Sequence, residues 1–138
     1  MIDGSGTPPQ VGRIARFTLE GLLDTTFAAT PGANNPIHVM ERQWPGDRIF
    51  IGGAFTSYNG VVRNYVARIN TDGSLDTSFN PGVGANGPVY AFIWNDYIRR
   101  LGIGGGFTTY QGVSRPGIAA VLAGGSSITP LLFLLLMN

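Results

Sequence analysis

The chain has 138 residues, of which 43% are apolar and only 12% charged, against about 25% charged in an ordinary globular domain. All nine basic residues are scattered arginines with no lysine, the formal net charge is +1, and no basic stripe forms, which argues against a nucleic-acid partner. With no cysteine, the chain carries no disulfide framework and no thiolate chemistry.

Residues 1–12, beginning MIDGSGTPPQ, have neither the basic nor the apolar stretch of a signal peptide and read as an N-terminal arm. From Arg13 onward the chain repeats itself. Setting Arg13–Val62 against Tyr65–Ser114 without a gap, at an offset of 52, makes 20 of 50 pairs identical. IARFTLEGLLDTTF faces VARINTDGSLDTSF, and IFIGGAFTSYNGV faces LGIGGGFTTYQGV. Leu23 and Leu75 recur, as do Phe27 and Phe79, and Phe55 and Phe107, which is the mark of one packing unit laid down twice.

Each unit is expected to hold four short strands. In chain order they are Ile14–Leu19, the Leu22–Phe27 region, Ile37–Arg42 and Arg48–Gly52, then Val66–Thr71, Ser74–Phe79, Val89–Trp94 and Arg100–Gly104. Branched and aromatic residues fill these runs, and Gly, Pro, Asn and Asp clusters bound them. Thr71-Asp72-Gly73-Ser74 is a hairpin signal, because Asp-Gly supplies the positive φ angles of a tight turn. No stretch has sustained helical spacing with caps. A third copy starts at Arg115 and Ala119, the counterparts of Arg63 and Ala67, and dissolves into AGGSSITPLLFLLLMN. The tandem repeats are therefore assigned to residues 13–121 and an apolar tail or closing strand to 122–138. The run Leu131–Met137 falls far short of the ~20 residues of a membrane helix, so no membrane partner is expected.

Four strands in about 50 residues is the size of a β-propeller blade. The segments GGAFTSYNGVVRNYVARINTDGSLDTSFNPG and GGGFTTYQGVSR resemble the delta-60 family of propeller-like β-repeats, over residues 13–121. That pattern joins a GG-x-F-T turn, a Y-N-G loop, an A-R-I/L-N strand and a D-G-S-L-D-x-S-F turn. The sequence departs from it at QWPGDR and NDYIRR, and the third unit lacks the D-G-S-L-D element. The resemblance implies a protein of bacterial surfaces, of secreted proteins or of bacteriophage structures.

The expected fold is all-β, with tandem four-stranded antiparallel blade-like repeats, about two and a half per chain. A propeller ring needs about four to eight blades, and an open stack leaves sheet edges bare. Closure by homo-oligomerisation is expected, with three chains of two blades as the simplest ring. The run Leu131, Leu132, Phe133, Leu134, Leu135 and Leu136 lacks alternation, as a strand buried on both faces would. It is the candidate oligomer interface, or alternatively the last strand of its own subunit.

Catalytic chemistry finds little support. The one histidine, His38, faces Tyr90 in the repeat alignment, and no spacing supplies the three or four ligands of a zinc site. Glu20/Asp24 and Asp72/Asp76 recur as a pair, in keeping with backbone capping in turns. Arg16 and Arg68 recur, and pairing with Asp24 and Asp76 of their own units is the simplest role for them. No cofactor, metal or catalytic residue is assigned. The expected function is that of a non-enzymatic virion component, a capsid decoration or tail protein made in the host cytoplasm, whose partners are itself and a larger shell or tail. The alternative is a lectin-like propeller at the cell surface, with Tyr58 and Tyr110 as glycan contacts beside Asn59 and Gln111.

Overall fold

A computed structural model describes residues 12–126, which are all-β, with no helix. Ten strands occur among them: β1 (Ile37–Arg42), β2 (Ile49–Gly53), β3 (Ser57–Tyr58), β4 (Val61–Val62), β5 (Val66–Ile69), β6 (Val89–Asn95), β7 (Arg100–Gly105), β8 (Thr109–Tyr110), β9 (Val113–Ser114) and β10 (Ile118–Leu122). They form two antiparallel three-stranded sheets, β1-β2-β5 and β6-β7-β10, and two small hairpins, β3-β4 and β8-β9. The second set repeats the first. The expected tandem, blade-like, antiparallel repeat is what the chain adopts.

Register fixes what each face of a blade carries. In the first blade Met40 pairs with Ile51 and Ile51 with Ala67, while Arg42 pairs with Ile49 and Ile49 with Ile69. Directly paired residues share a face, so these six lie on one side. Glu41, Phe50 and Arg68, and Val39, Gly52 and Val66, lie on the other. In the second blade Phe92, Trp94, Leu101, Ile103, Ala119 and Val121 share the side turned to the first blade. The core between the blades contains Phe50, Val66, Phe79, Leu101, Ile103 and Val121. A second core lies on the opposite side of the first blade, where Ile14, Ala29 and Ala33 of the first unit pack on Ile51, Ala67 and Ile69.

The strand expected at Leu22–Phe27, and again at Ser74–Phe79, is shorter than the sequence predicts. Leu75 makes one bridge to Ile69, and Leu23 one to Phe17. The Asp76 carboxylate then accepts hydrogen bonds from the Ser78 amide (3.0 Å) and hydroxyl (2.6 Å), and Asp24 does the same with Thr26. These side chains satisfy the backbone locally and curl it away from the sheet. The segment Ile14–Leu19 is likewise reduced to the Phe17 bridge; among the described residues no strand lies along its other edge.

Two details were not expected. The Y-N-G and Y-Q-G loops are hairpins: Asn59 (φ 48°) and Gly60 (φ 79°), and Gln111 (φ 52°) and Gly112 (φ 75°), hold the paired positive φ of a type I′ turn. The third copy also persists further than its sequence suggests. In the turn after β10 the Leu122 amide donates to the Ser126 carbonyl at 2.7 Å, as Asn70 does to Ser74 at 2.8 Å and Thr18 to Leu22 at 2.8 Å. Gly124-Gly125 takes the place of Asp72-Gly73, so the turn survives the loss of its acidic residue.

Candidate functional site

The polar residues that recur meet between units. Arg68 projects from β5 toward the second blade and is only 3% exposed. Its Nε donates to Asp76 Oδ2 at 2.7 Å, Nη1 to Gln43 Oε1 and to the Ala123 carbonyl, both at 2.9 Å, and Nη2 to Ser78 Oγ at 3.0 Å. The guanidinium lies 5.4 Å from the Phe79 ring centre and 5.6 Å from that of Phe50. Burial lowers the pKa of Arg68, against the pull of Asp76. Burial also pushes Asp76 up, but the hydrogen bonds from Ser78 and Arg68 outweigh it and hold the carboxyl below its ordinary value.

Arg16 repeats this arrangement one unit earlier. Its Nε donates to Asp24 Oδ2 at 2.8 Å and its Nη1 to the Thr71 carbonyl, and it lies 5.3 Å from the Phe27 ring centre. The arginine–aspartate pairing within a unit is thus as the sequence suggests. The contacts to Thr71 and Ala123 add a second role: each arginine also grips the turn of the following unit. Arg16 has no counterpart of Gln43 among the described residues.

An aromatic plug accompanies the arginine. Phe50 is fully buried, with its ring centre 5.4 Å from Phe79, 6.4 Å from Phe92 and 5.3 Å from Trp94. One repeat earlier, the counterparts of Arg68, Phe79, Phe92 and Trp94 are Arg16, Phe27, Met40 and Arg42. There no plug is present among the described residues, and two adjoining cavities occupy the space. One, of about 280 Å³, is lined by Ile14, Arg16, Phe27, Met40 and Ile49, among others; the other, of about 380 Å³, by Met40, Arg42, Asp47 and Ile49, among others.

The opposite end of the stack has the complementary feature. The outer face of the second blade consists of Ala91, Ile93, Gly102, Gly104, Ile118 and Ala120, with Asn95, Arg100 and Leu122 completing it at one edge. Ile93 is 71% and Ile118 72% exposed, whereas Val66, the repeat counterpart of Ile118, is completely covered by the second blade. Gly102 stands where Phe50 stands in the first blade. The Ile93 side chain lies over it, with Cγ2 only 2.7 Å from where a Cβ on Gly102 would be.

The other candidates fall differently. Tyr58 and Tyr110 are core residues and not glycan contacts: both are fully buried, and their hydroxyls donate to the Gly73 and Gly125 carbonyls at 2.7 and 2.6 Å. A ring with no free face cannot stack on a sugar, which corrects that assignment. Burial, with the Asp72 charge nearby, raises the Tyr58 hydroxyl to about 12, and burial raises Tyr110 as well. His38 packs on Tyr90 with ring centres 5.3 Å apart, as expected of packing. Asp72 caps its turn through the Ser74 amide and hydroxyl, and these hydrogen bonds hold its carboxyl below the ordinary value. No group of three potential metal ligands occurs among the described residues. The candidate interface Leu131–Leu136 lies outside the described residues. The plug and its empty counterpart were missed in the sequence, although the mismatch of Phe50 with Gly102 in the ungapped alignment pointed to them.

Residues 47–79 match a family model described as a domain of unknown function (DUF5122) beta-propeller. The match runs from the end of the β1–β2 loop through Phe79, and so contains Phe50, Arg68 and Asp76. Neither the curated proteins nor the solved structures gave a match. Fold and match together define a β-propeller repeat protein.

Proposed function

We propose that the chain is a non-enzymatic structural protein that acts through symmetric contacts between copies, three chains of two blades giving the simplest closed ring. The observation that carries this reading is the pair of unlike ends: a largely apolar, exposed face on the second blade and a plug site beside the first that no described residue fills. The recurring polar residues support it, since Arg16, Arg68, Asp24, Asp72 and Asp76 are engaged in holding turns and units together. Chains with unlike ends join head to tail, and head-to-tail contacts close into rings when the rotation allows.

The setting that goes with this role is a virion, as a capsid decoration or tail component. The delta-60 resemblance supports it, because such repeats occur in bacteriophage structural proteins, and so does the low charge of a surface that partner subunits would cover. Light scattering on the purified chain tests the assembly: a species near three times the 14.6 kDa chain mass is expected, and a monomer at every concentration overturns it. Mass spectrometry of purified virions of the encoding phage tests the setting. The chain is expected there in many copies, and its absence from the particles refutes the virion role.

A further inference from the structure

The internal repeat shows how the chain fills a plug site, and so what the empty one should receive. Between the blades, Phe50 of β2 enters the site formed by Arg68, Phe79, Phe92 and Trp94. The strand that carries Arg68 is paired with the strand that carries the plug, Phe50 directly opposite Arg68. The site at Arg16, Phe27, Met40 and Arg42 occupies the equivalent positions, with Met40 and Arg42 in place of Phe92 and Trp94 and no plug strand among the described residues, and the edge of Ile14–Phe17 where that strand would pair is bare among them.

We infer that this site and edge receive the β6-β7 hairpin of a second copy, Ile14–Phe17 of one chain taking on β7 of the other the place that β10 holds within a single chain. Three features specify the partner. Ile14–Phe17 and β10 are the same strand of the repeat, so the register is given: Gly102 pairs with Ala120 inside one chain, and Gly102 of the second copy pairs with Arg16 of the first. In that register Ile93, exposed above Gly102, stands next to the position of the Phe50 plug and fills the apolar site at Phe27, Met40 and Ile49. Asn95 is the repeat counterpart of Gln43, and so offers Arg16 the side-chain amide that Gln43 offers Arg68.

Electrostatics favours the exchange. β10 carries Ala120 at the Arg68 position, so the guanidinium on that face of the hairpin is that of Arg100, the counterpart of Arg48, which stands 3.2 Å from Asp76. Ile14–Phe17 brings Arg16 already paired with Asp24. Tyr110 can keep its buried hydroxyl satisfied by donating to the Gly21 carbonyl, the counterpart of Gly73 and Gly125. A ring built this way has composite blades, each made by two chains.

This inference rests on the assembly reading, and the experiment separates the two. Full-length wild type, Ile93→Asp and Ile93→Leu are compared by light scattering across a concentration series, with thermal melting of each. Wild type and Ile93→Leu are expected to assemble alike, while Ile93→Asp needs about tenfold or more higher concentration because it places an unpaired charge in the contact. Its melting at low concentration should be unchanged, since Ile93 is exposed in the single chain. Hydrogen exchange on wild type is expected to show the Ala15, Arg16 and Phe17 amides gaining protection on assembly. Assembly that Ile93→Asp leaves intact, or that leaves these amides unprotected, overturns the inference while the assembly reading stands. A wild-type chain that stays monomeric overturns both.

Discussion

The Tyr58 hydroxyl donates to the carbonyl of Gly73 at 2.7 Å, and 52 positions later the Tyr110 hydroxyl donates to that of Gly125 at 2.6 Å. The bond ties the β3-β4 hairpin to the turn that ends β5, and the β8-β9 hairpin to the turn that ends β10. It marks the true extent of the repeat, because it holds where Gly124-Gly125 has replaced Asp72-Gly73.

Replacing Tyr58 by phenylalanine keeps the ring but takes the hydroxyl donor from the buried Gly73 carbonyl, and Tyr110→Phe leaves the Gly125 carbonyl with only the long 3.4 Å bond from Gln111 Nε2. Each change is expected to cost about 1–3 kcal/mol. Urea unfolding of the two variants should give similar losses, and a loss at one site only would show that the two bonds are not equivalent.

The same hydroxyls make the fold sensitive to alkali. An unfolded tyrosine ionises near 10, and Tyr58 in the fold near 12. The unfolded chain therefore releases its proton first as pH rises. The stability that this group contributes is complete below about pH 10 and is lost as pH climbs toward 12. Melting temperature measured across this range should fall, and less steeply for Tyr58→Phe.

Arg68→Ala removes the buried partner of Asp76 and leaves it with the half-exposed Arg48, 3.2 Å away, which is expected to cost toward the lower end of the ~3–5 kcal/mol of a broken buried pair. Arg16→Ala is expected to cost far less, since the Arg16 side chain is 40% exposed and water replaces its contacts. Equal losses in denaturant unfolding would contradict the difference in burial between the two copies.

Asp76, Asp72 and Asp24 all have lowered pKa values in the fold. Their contribution is present above the ordinary carboxylate range and disappears as pH falls through and below it. An acid titration followed by circular dichroism should show stability declining below about pH 4, with the decline reduced in Asp76→Asn.

Gly53 and Gly105 are equivalent, and a Cβ on either would come within 2.2 Å of the Pro36 carbonyl oxygen or 2.1 Å of that of Pro88. The neighbour is backbone in both cases and cannot swing aside. Gly53→Ala and Gly105→Ala should each destabilise the chain by about 1–3 kcal/mol or more, read as a shift in the urea midpoint.

Much of the fold was legible because a repeat prints the same instruction twice. Gly52, Phe55 and Tyr58 each reappear 52 residues later, and the bounds of β1 follow directly from its branched and aromatic residues. The strand expected at Ser74–Phe79 is shorter in the fold, because the apolar positions Leu75 and Phe79 look like strand residues while Asp76 and Ser78 close a local turn between them. The hydrogen-bonding role of Tyr58 was invisible for a different reason. An aromatic residue beside Asn59 and Gly60 fits a surface loop equally well until the fold shows which way the ring points. The plug site needed three dimensions, since Arg16, Phe27, Met40 and Ile49 are brought together only by stacking.

Arg16 reaches forward to Thr71, and Arg68 forward to Ala123; both grips run toward higher residue numbers. The stack accordingly has a polarity, like an arrow rather than a rod. Two arrows cannot meet nose to nose with the same contacts, so the joint between copies in the proposed assembly is heterologous. In the proposed assembly the copies follow one another in one direction, and the angle from each to the next would decide whether the chain of copies returns to its start or winds on as a fibre. Were Ile93 and Gly102 at that joint, small changes there would govern the topology of the assembly and not only its strength.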